Sequence, residues 1–267
     1  MKIITLATIK GGVGKTTLTL NLGAYLASKG SKVLLIDLDS QCNLTTALQV
    51  KPNLNSVLNI FEPNTTNQTM IQHVYPNLDL IAGDLQLSTD LDERLEKHQN
   101  CHWHLNDWLQ EYFESHDEYD YILIDTHNSH PFFDVFLGNA LCISDYVLIP
   151  ISPDDLGFKS KTLFVKSLQQ FANEEANPHT KESYVNVKVK YIGNQFYHSN
   201  TANLLAQRLK TDNDTVAIVP RKEALHKTTN LHQPLVNLLK DSKFRHNYGK
   251  SAKEIFNQFD EVIAKLN

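Results

Sequence analysis

The chain has 267 residues, a net charge of −5, and a composition that is 41% hydrophobic and 21% charged. That excludes a disordered chain and predicts one α/β domain spanning 1–267. Three cysteines, Cys42, Cys101 and Cys142, are too few and too irregularly spaced for a disulfide framework, and no apolar run approaches the roughly 18 residues of a membrane span. The apolar N-terminus runs directly into glycines without a cleavage site, so the expectation is a soluble cytoplasmic protein with no signal peptide.

Lys2 to Thr8, rich in Ile and Leu, reads as a buried strand entering a glycine loop. Thr16 to Lys29 reads as a helix, with Leu18, Leu22 and Leu26 on one face and Gly30 as its stop. Further strands are predicted at Lys32–Asp39, Leu78–Gly83, Tyr119–Asp125, Asp145–Ile151, Val187–Phe196 and Asp214–Pro220. Helical patterns cover Leu91–Phe113, Leu156–Phe171 and Asn200–Lys210, and Asn173 to Glu182 reads as a long surface loop. Strands alternating with helices predict a mostly parallel, twisted sheet of about seven or eight strands with helices on both faces. Ligands of such sheets sit at the carboxyl ends of the strands, where the glycine loop, Asp37, Asp39, Asp125 and Asn194 all fall.

The loop reads KGGVGKTT, Lys10 to Thr17. A glycine turn between a strand and a helix presents backbone N–H groups at the positive end of a helix dipole, which suits phosphate. Lys15 would reach the β- and γ-phosphates and the Thr16 hydroxyl would ligate Mg²⁺. The ordinary motif, G-x-x-x-x-G-K-[ST], needs its first glycine at position 9, which is Ile9, and a second lysine, Lys10, follows at once. KGGVGKTT thus resembles the deviant P-loop of the ParA/MinD family of P-loop ATPases.

The resemblance implies that Gly11, Gly12, Val13, Gly14, Lys15, Thr16 and Thr17 cradle ATP. It also implies that Lys10 crosses to the nucleotide of a partner subunit in an ATP-dependent homodimer. "VLLIDLDSQCNLT" (Val33 to Thr45) resembles the family's second motif, with Ser40 where proline is usual. By that match Asp39 positions or activates the attacking water, and Asp37 supports Mg²⁺ through a water or, on the residues alone, caps the following turn. "YDYILIDTHNSHP" (Tyr119 to Pro131) resembles a Walker B strand whose carboxylate, Asp125, acts on Mg²⁺; the family continues Asp-x-Pro-Pro where this chain has Thr126, His127 and Asn128. Asn194, with backbone around Pro220 and Arg221, stands where relatives hold the adenine. His127 and His130, and the run Cys101 to His104, lack the four spaced ligands of a structural zinc site.

Charge separates the family's branches. Residues 1–180 carry net −11 and residues 181–267 net +6, a difference that either reflects solvated helices or marks a face for an anionic polymer. Arg221, Lys222, Lys227, Lys240, Lys243, Arg245, Lys250 and Lys253 stand against only Glu223 and Asp241 between positions 221 and 253. "VPRKEALHKTTNLHQPLV" (Val219 to Val236) resembles the Pro-Arg segment of ParA proteins, which implies nonspecific double-stranded DNA as a ligand, a nucleoid location and a ParB-type centromere-binding partner. The alternative is a MinD-like positioning ATPase acting on membrane or protein cargo. The tail stripe Ile255, Phe259, Val262 and Leu266 suits lipid or core, but Asp260 and Glu261 leave the last nine residues net −1, which favours a core helix over a membrane anchor. Cys101 and Cys142 lack the glycine-rich surroundings of the iron-protein branch. With the first strand at Lys2, no N-terminal helix-turn-helix and no operator recognition are expected.

Overall fold

The computed structural model describes residues 1–51, 55–62, 70–98, 100–114, 119–128 and 133–267. Strand β1 (Lys2–Thr8) leads through the glycine loop into α1 (Lys15–Ser28), β2 (Val33–Leu38) and the short helices α2 (Asn43–Ala47) and α3 (Leu58–Phe61). The hairpin β3 (Ile71–Tyr75) and β4 (Leu78–Ile81) follows, then α4 (Thr89–Leu95), α5 (His104–Phe113), β5 (Tyr121–Asn128) and α6 (Val135–Ile143). Next come β6 (Tyr146–Ile151), α7 (Asp155–Glu174), β7 (Lys188–Phe196), α8 (Asn200–Lys210) and β8 (Thr215–Pro220). Three helices end the chain, α9 (Glu223–Asn230), α10 (Leu235–Leu238) and α11 (Ser242–Leu266).

The strands form one eight-stranded sheet in the order β3-β4-β2-β5-β1-β6-β7-β8. Every pairing is parallel except β3 with β4. β1, β2, β5 and β6 are buried almost throughout, as continuous Ile, Leu and Val runs require when helices cover both faces. One face packs on α1, α2, α9 and α11 around Leu22, Leu35 and Phe259. The other packs on α4, α5 and α6 around Ile36 and Ile124, and on α7 and α8 around Ile149 and Phe164. β5 and β6 flank β1, so the loop after β1 lies at the point where chain direction splits, the usual ligand crevice of such sheets.

The sheet has the seven or eight strands expected, but one strand was not located in advance and one expected helix is divided. An eighth strand, β3, precedes β4; its residues are only half-buried at the sheet edge, so neither alternation nor a continuous apolar run marks it. The single helix expected over Leu91–Phe113 is two, α4 and α5, because the chain turns at Asn100 with φ 63°, left-handed backbone that asparagine tolerates.

The tail stripe is core. Ile255 and Phe259 are fully buried, as are Val262 and Leu266 to within 2%, and Phe256 stacks on Tyr25 of α1 at 4.6 Å between ring centres. α11 also closes the open edge of β8: Gln258 accepts from the Ile218 N–H at 2.9 Å and Lys265 donates to the Thr215 carbonyl at 3.1 Å, which hinders strand addition there. No helix among the described residues is long and apolar enough to cross a membrane. Phe259→Ala is expected to cost about 3–5 kcal/mol in urea unfolding, whereas Lys253→Ala on the same helix changes stability by less than about 0.5 kcal/mol. Equal, small effects would contradict a core role for α11.

Candidate functional site

The loop between β1 and α1 owes its shape to two left-handed glycines, Gly12 (φ 73°) and Gly14 (φ 86°). Gly14 has a second constraint, since a Cβ there would lie 2.6 Å from Asn194 Nδ2. α1 starts at Lys15 without a side-chain cap and with no acidic residue in its first turn, so its leading N–H groups are left for an anion. Asn194 Nδ2 donates to the Val13 carbonyl at 2.7 Å, and Gln195 Nε2 donates to the Gly12 carbonyl at 2.9 Å. Both amides come from the end of β7 and turn those carbonyls toward it. Val13 is buried while Gly11 and Gly12 are exposed, and Thr16 and Thr17 are half-buried at the helix start. Pro220 ends β8 beside Phe196, whose carbonyl accepts the Arg221 N–H at 2.7 Å; they stand one strand farther from the loop than Asn194.

The two lysines have different surroundings. Lys15 is buried, and burial pushes its ammonium below its ordinary pKa against the opposing pull of Asp125 and Asp39. Its Nζ donates to Asn128 Oδ1 at 2.5 Å. Lys10 lies at the lip, a quarter exposed, and donates to Ser152 Oγ at 2.8 Å and to both oxygens of Asp154 at 2.7 and 2.6 Å. Asp154 also caps α7 through the Gly157 N–H at 2.8 Å.

Three carboxylates converge opposite Lys15. Asp37 and Asp125 are register partners on β2 and β5, both fully buried. Asp37 is pushed up to about 6 by burial, opposed by hydrogen bonds from Thr45. Its Oδ2 accepts from the Thr45 N–H at 2.9 Å and hydroxyl at 2.6 Å, and its Oδ1 from the Asp39 N–H at 3.2 Å. Asp37 therefore fastens the turn after β2, the capping reading of this residue. Asp39 accepts the Gln41 N–H at 2.9 Å.

Asp125 is different. Burial pushes its carboxyl up, Asp37 adds to this, and the Thr16 hydroxyl and Lys15 oppose it. One oxygen accepts the Thr19 hydroxyl at 3.3 Å, while the other is buried without a partner. An orphaned carboxylate oxygen beside the Thr16 hydroxyl is a donor set that fits a hard divalent cation, which takes oxygen ligands and relieves the buried charge.

His127 replaces one proline of the expected pattern. Burial alone would depress its ring, but Asp134, 2.5 Å from Nε2, together with Asp39 holds it above its ordinary pKa. Asp134 is also the cap of α6, so the histidine is occupied between β5 and α6. His130 lies outside the described residues. Within Cys101 to His104, His102 pairs with Glu175 at 2.8 Å, and His104 packs on Phe61 with its Nε2 buried and unpartnered. The two rings serve different surroundings. All three cysteines are free thiols.

The expected basic residues lie on α9, on α11 and on the connections beside them. Arg221, Lys240, Lys243, Arg245, Lys250 and Lys253 are exposed. Lys222 pairs with Glu254 at 2.6 Å, and Lys227 with Glu223 at 3.1 Å, so these two are partly neutralised. Sequence reasoning missed Asn128, Asp154 and Gln195. It also missed Asn21 of α1, which donates to Thr228 of α9 at 3.1 Å and accepts from the Leu235 N–H of α10 at 2.8 Å. Only the departure from Asp-x-Pro-Pro drew attention to Asn128 in advance.

A family model described as an AAA domain matches residues 1–181. The chromosome partitioning protein ParA of Caulobacter vibrioides is 27% identical over 99% of this chain and 97% of its own. A plasmid partition protein of Borrelia burgdorferi, known from its crystal structure, is 30% identical, covers 90% of this chain and 98% of its own, and superposes with a TM-score of 0.70. A second Borrelia burgdorferi structure, bound to AMPPNP, is 28% identical over 99% of this chain and 97% of its own, with a TM-score of 0.77. The family model covers more than half of the chain and these relatives match it nearly end to end: the chain belongs to the family of that AAA-domain model and is a ParA-type P-loop ATPase.

Proposed function

We propose that this chain is a DNA partition ATPase whose ATP-bound form is a sandwich homodimer. The dimer holds double-stranded DNA without reading its sequence, and a ParB-type centromere-binding partner stimulates hydrolysis and release. In this reading residues 1–267 act as one ATPase domain in the cytoplasm, on the nucleoid, with the DNA-binding region within 181–267. The observation that carries it is the pair of cations on one phosphate-shaped loop, Lys15 inside and Lys10 at the exposed lip.

The loop from Gly11 to Thr17 receives the triphosphate on its backbone N–H groups, with Lys15 on the β- and γ-phosphates. Support for ATP comes from the AMPPNP bound to the Borrelia burgdorferi relative. Thr16 and the orphaned oxygen of Asp125 would hold Mg²⁺, with Asp37 supporting the site from behind. When bound, Mg²⁺ neutralises charge that develops on the phosphate oxygens. Asp39 orients the attacking water, and Asn194, Pro220 and Arg221 flank the base. Lys10 exchanges Asp154 for the nucleotide of the second subunit. A half-exposed ion pair of that kind contributes about 0–1 kcal/mol, so it yields readily to a triphosphate that would otherwise lack cationic compensation between subunits.

For DNA, the support is the exposed cations along α9 to α11. Two dimer copies of Arg221, Lys240, Lys243, Arg245 and Lys250, joined by Lys222 and Lys227, make one anion-binding surface, and backbone neutralisation alone gives nonspecific, salt-sensitive binding. A membrane reading needs an apolar face, and the tail stripe is already committed to the core.

Three measurements test the proposal. In co-sedimentation with ATP, the protein is expected to pellet with plasmid DNA and not with anionic liposomes. Replacing Lys243 and Arg245 by Glu should weaken DNA retention and flatten its salt dependence, the log–log slope falling by about one for each phosphate no longer neutralised; retention on liposomes alone would favour the positioning reading. Lys10→Ala is expected to keep nucleotide affinity within about threefold, since uniform loop contacts remain, while light scattering shows no ATP-dependent dimer. A persisting dimer removes the trans role. Asp39→Ala should lower turnover by about 10²–10⁴-fold and trap the ATP dimer on DNA, an expectation that unchanged turnover would defeat.

A further inference from the structure

We propose that Asn128 reads the terminal phosphate of the bound nucleotide: its amide Nδ2 donates to the γ-phosphate while its Oδ1 keeps hold of the Lys15 ammonium. The inference rests on the nucleotide reading above and adds a residue that discriminates triphosphate from diphosphate.

Strand register puts Asn128 at the loop. It is the last residue of β5 and the Cα partner of Thr8, the residue at which β1 gives way to the glycines. Its carboxamide spans the mouth. Oδ1 is 2.5 Å from Lys15 Nζ, and Nδ2 lies 3.0 Å from where a Cβ on Gly11 would stand, close enough that position 11 has no room for a side chain unless the amide gives way.

The orientation is fixed chemically. An ammonium has only donors, so the carboxamide must turn its oxygen to Lys15 and its nitrogen to the other lip. There Nδ2 has no acceptor among the described residues. The inner end of the loop, Gly14 to Thr17, is the helix N-terminus that receives the inner phosphates, and Lys15 reaches the β- and γ-positions. Asn128 bridges Lys15 and Gly11 at the outer end of the loop, where in this reading the terminal phosphate lies.

A neutral amide suits the task. It accepts from the lysine and donates to the phosphate, and the lysine retains two further donors for the nucleotide. An aspartate would repel the terminal phosphate, and a proline has neither group. ADP leaves Nδ2 without its partner, so the contact favours ATP alone. A hydrogen bond to a charged group accounts for about a tenfold or larger difference in affinity.

Calorimetric titration of the full chain with ADP and with AMPPNP, each with Mg²⁺, tests this in wild type, Asn128→Ala and Asn128→Asp. Expected are ADP affinities within about threefold of wild type, AMPPNP weakened about tenfold in the alanine variant and further in the aspartate variant, and unchanged melting temperatures. Equal shifts for both nucleotides would reduce Asn128 to a support for Lys15 or the loop and overturn the proposal, as would no shift at all. A wild-type protein that binds neither nucleotide takes the nucleotide reading down, and this inference with it; binding of both by wild type keeps the two questions apart.

Discussion

Two ammonium groups stand on one glycine loop, and each is held by side chains that the sheet brings from far along the chain. Asn128 takes Lys15, and Asp154 with Ser152 takes Lys10. Both sets of contacts are polar and geometrically good, and the Lys10 pair, half-exposed at the lip, is the one placed to exchange. Opposite them, the carboxyl of Asp125 is buried with one oxygen unmatched. Two cations on one loop facing an acid with an unmatched oxygen describe a site organised around a charged ligand and its metal. The rest of the sheet brings those residues to one edge.

The same loop is joined to the basic face through the core. α1 carries the phosphate-facing N–H groups at its start, and two turns later Asn21 ties it to α9 and α10 through Thr228 and the Leu235 N–H. Asn21 and Thr228 are almost fully buried, where an unsatisfied polar group is costly, so the three helices hold a fixed relation. Tyr25, one turn further along α1, stacks on Phe256 of α11. In the proposed cycle, a shift of α1 on nucleotide binding would therefore move the cation-bearing helices with it. In that proposed cycle, dimer formation through Lys10 and presentation of the basic face would both follow from one rigid unit.

Much of this was legible in the sequence. The buried strands announce themselves because helices on both faces demand unbroken apolar runs, and Gly12 and Gly14 mark the loop because few other residues adopt its backbone. β3 was not legible, since an edge strand such as "IQHVY" is under no such demand. The break at Asn100 hid inside a run with helical spacing. Asp37 stood open between metal support and turn cap; its bonds to Thr45 show it fastening the turn, which leaves support of a metal from behind as a proposal. The partners of the two lysines were the least legible. Asn128 and Asp154 lie 113 and 144 positions away along the chain, and strand order alone brings them to the loop.

The most direct test of the central claim is a crystal structure of the chain with AMPPNP and Mg²⁺. Lys10 Nζ is expected to have left Asp154 and to lie within hydrogen-bond distance of a phosphate oxygen on the nucleotide of the opposing subunit. A nucleotide-bound dimer in which that ammonium stays on Asp154 of its own chain, or points into solvent, would contradict it.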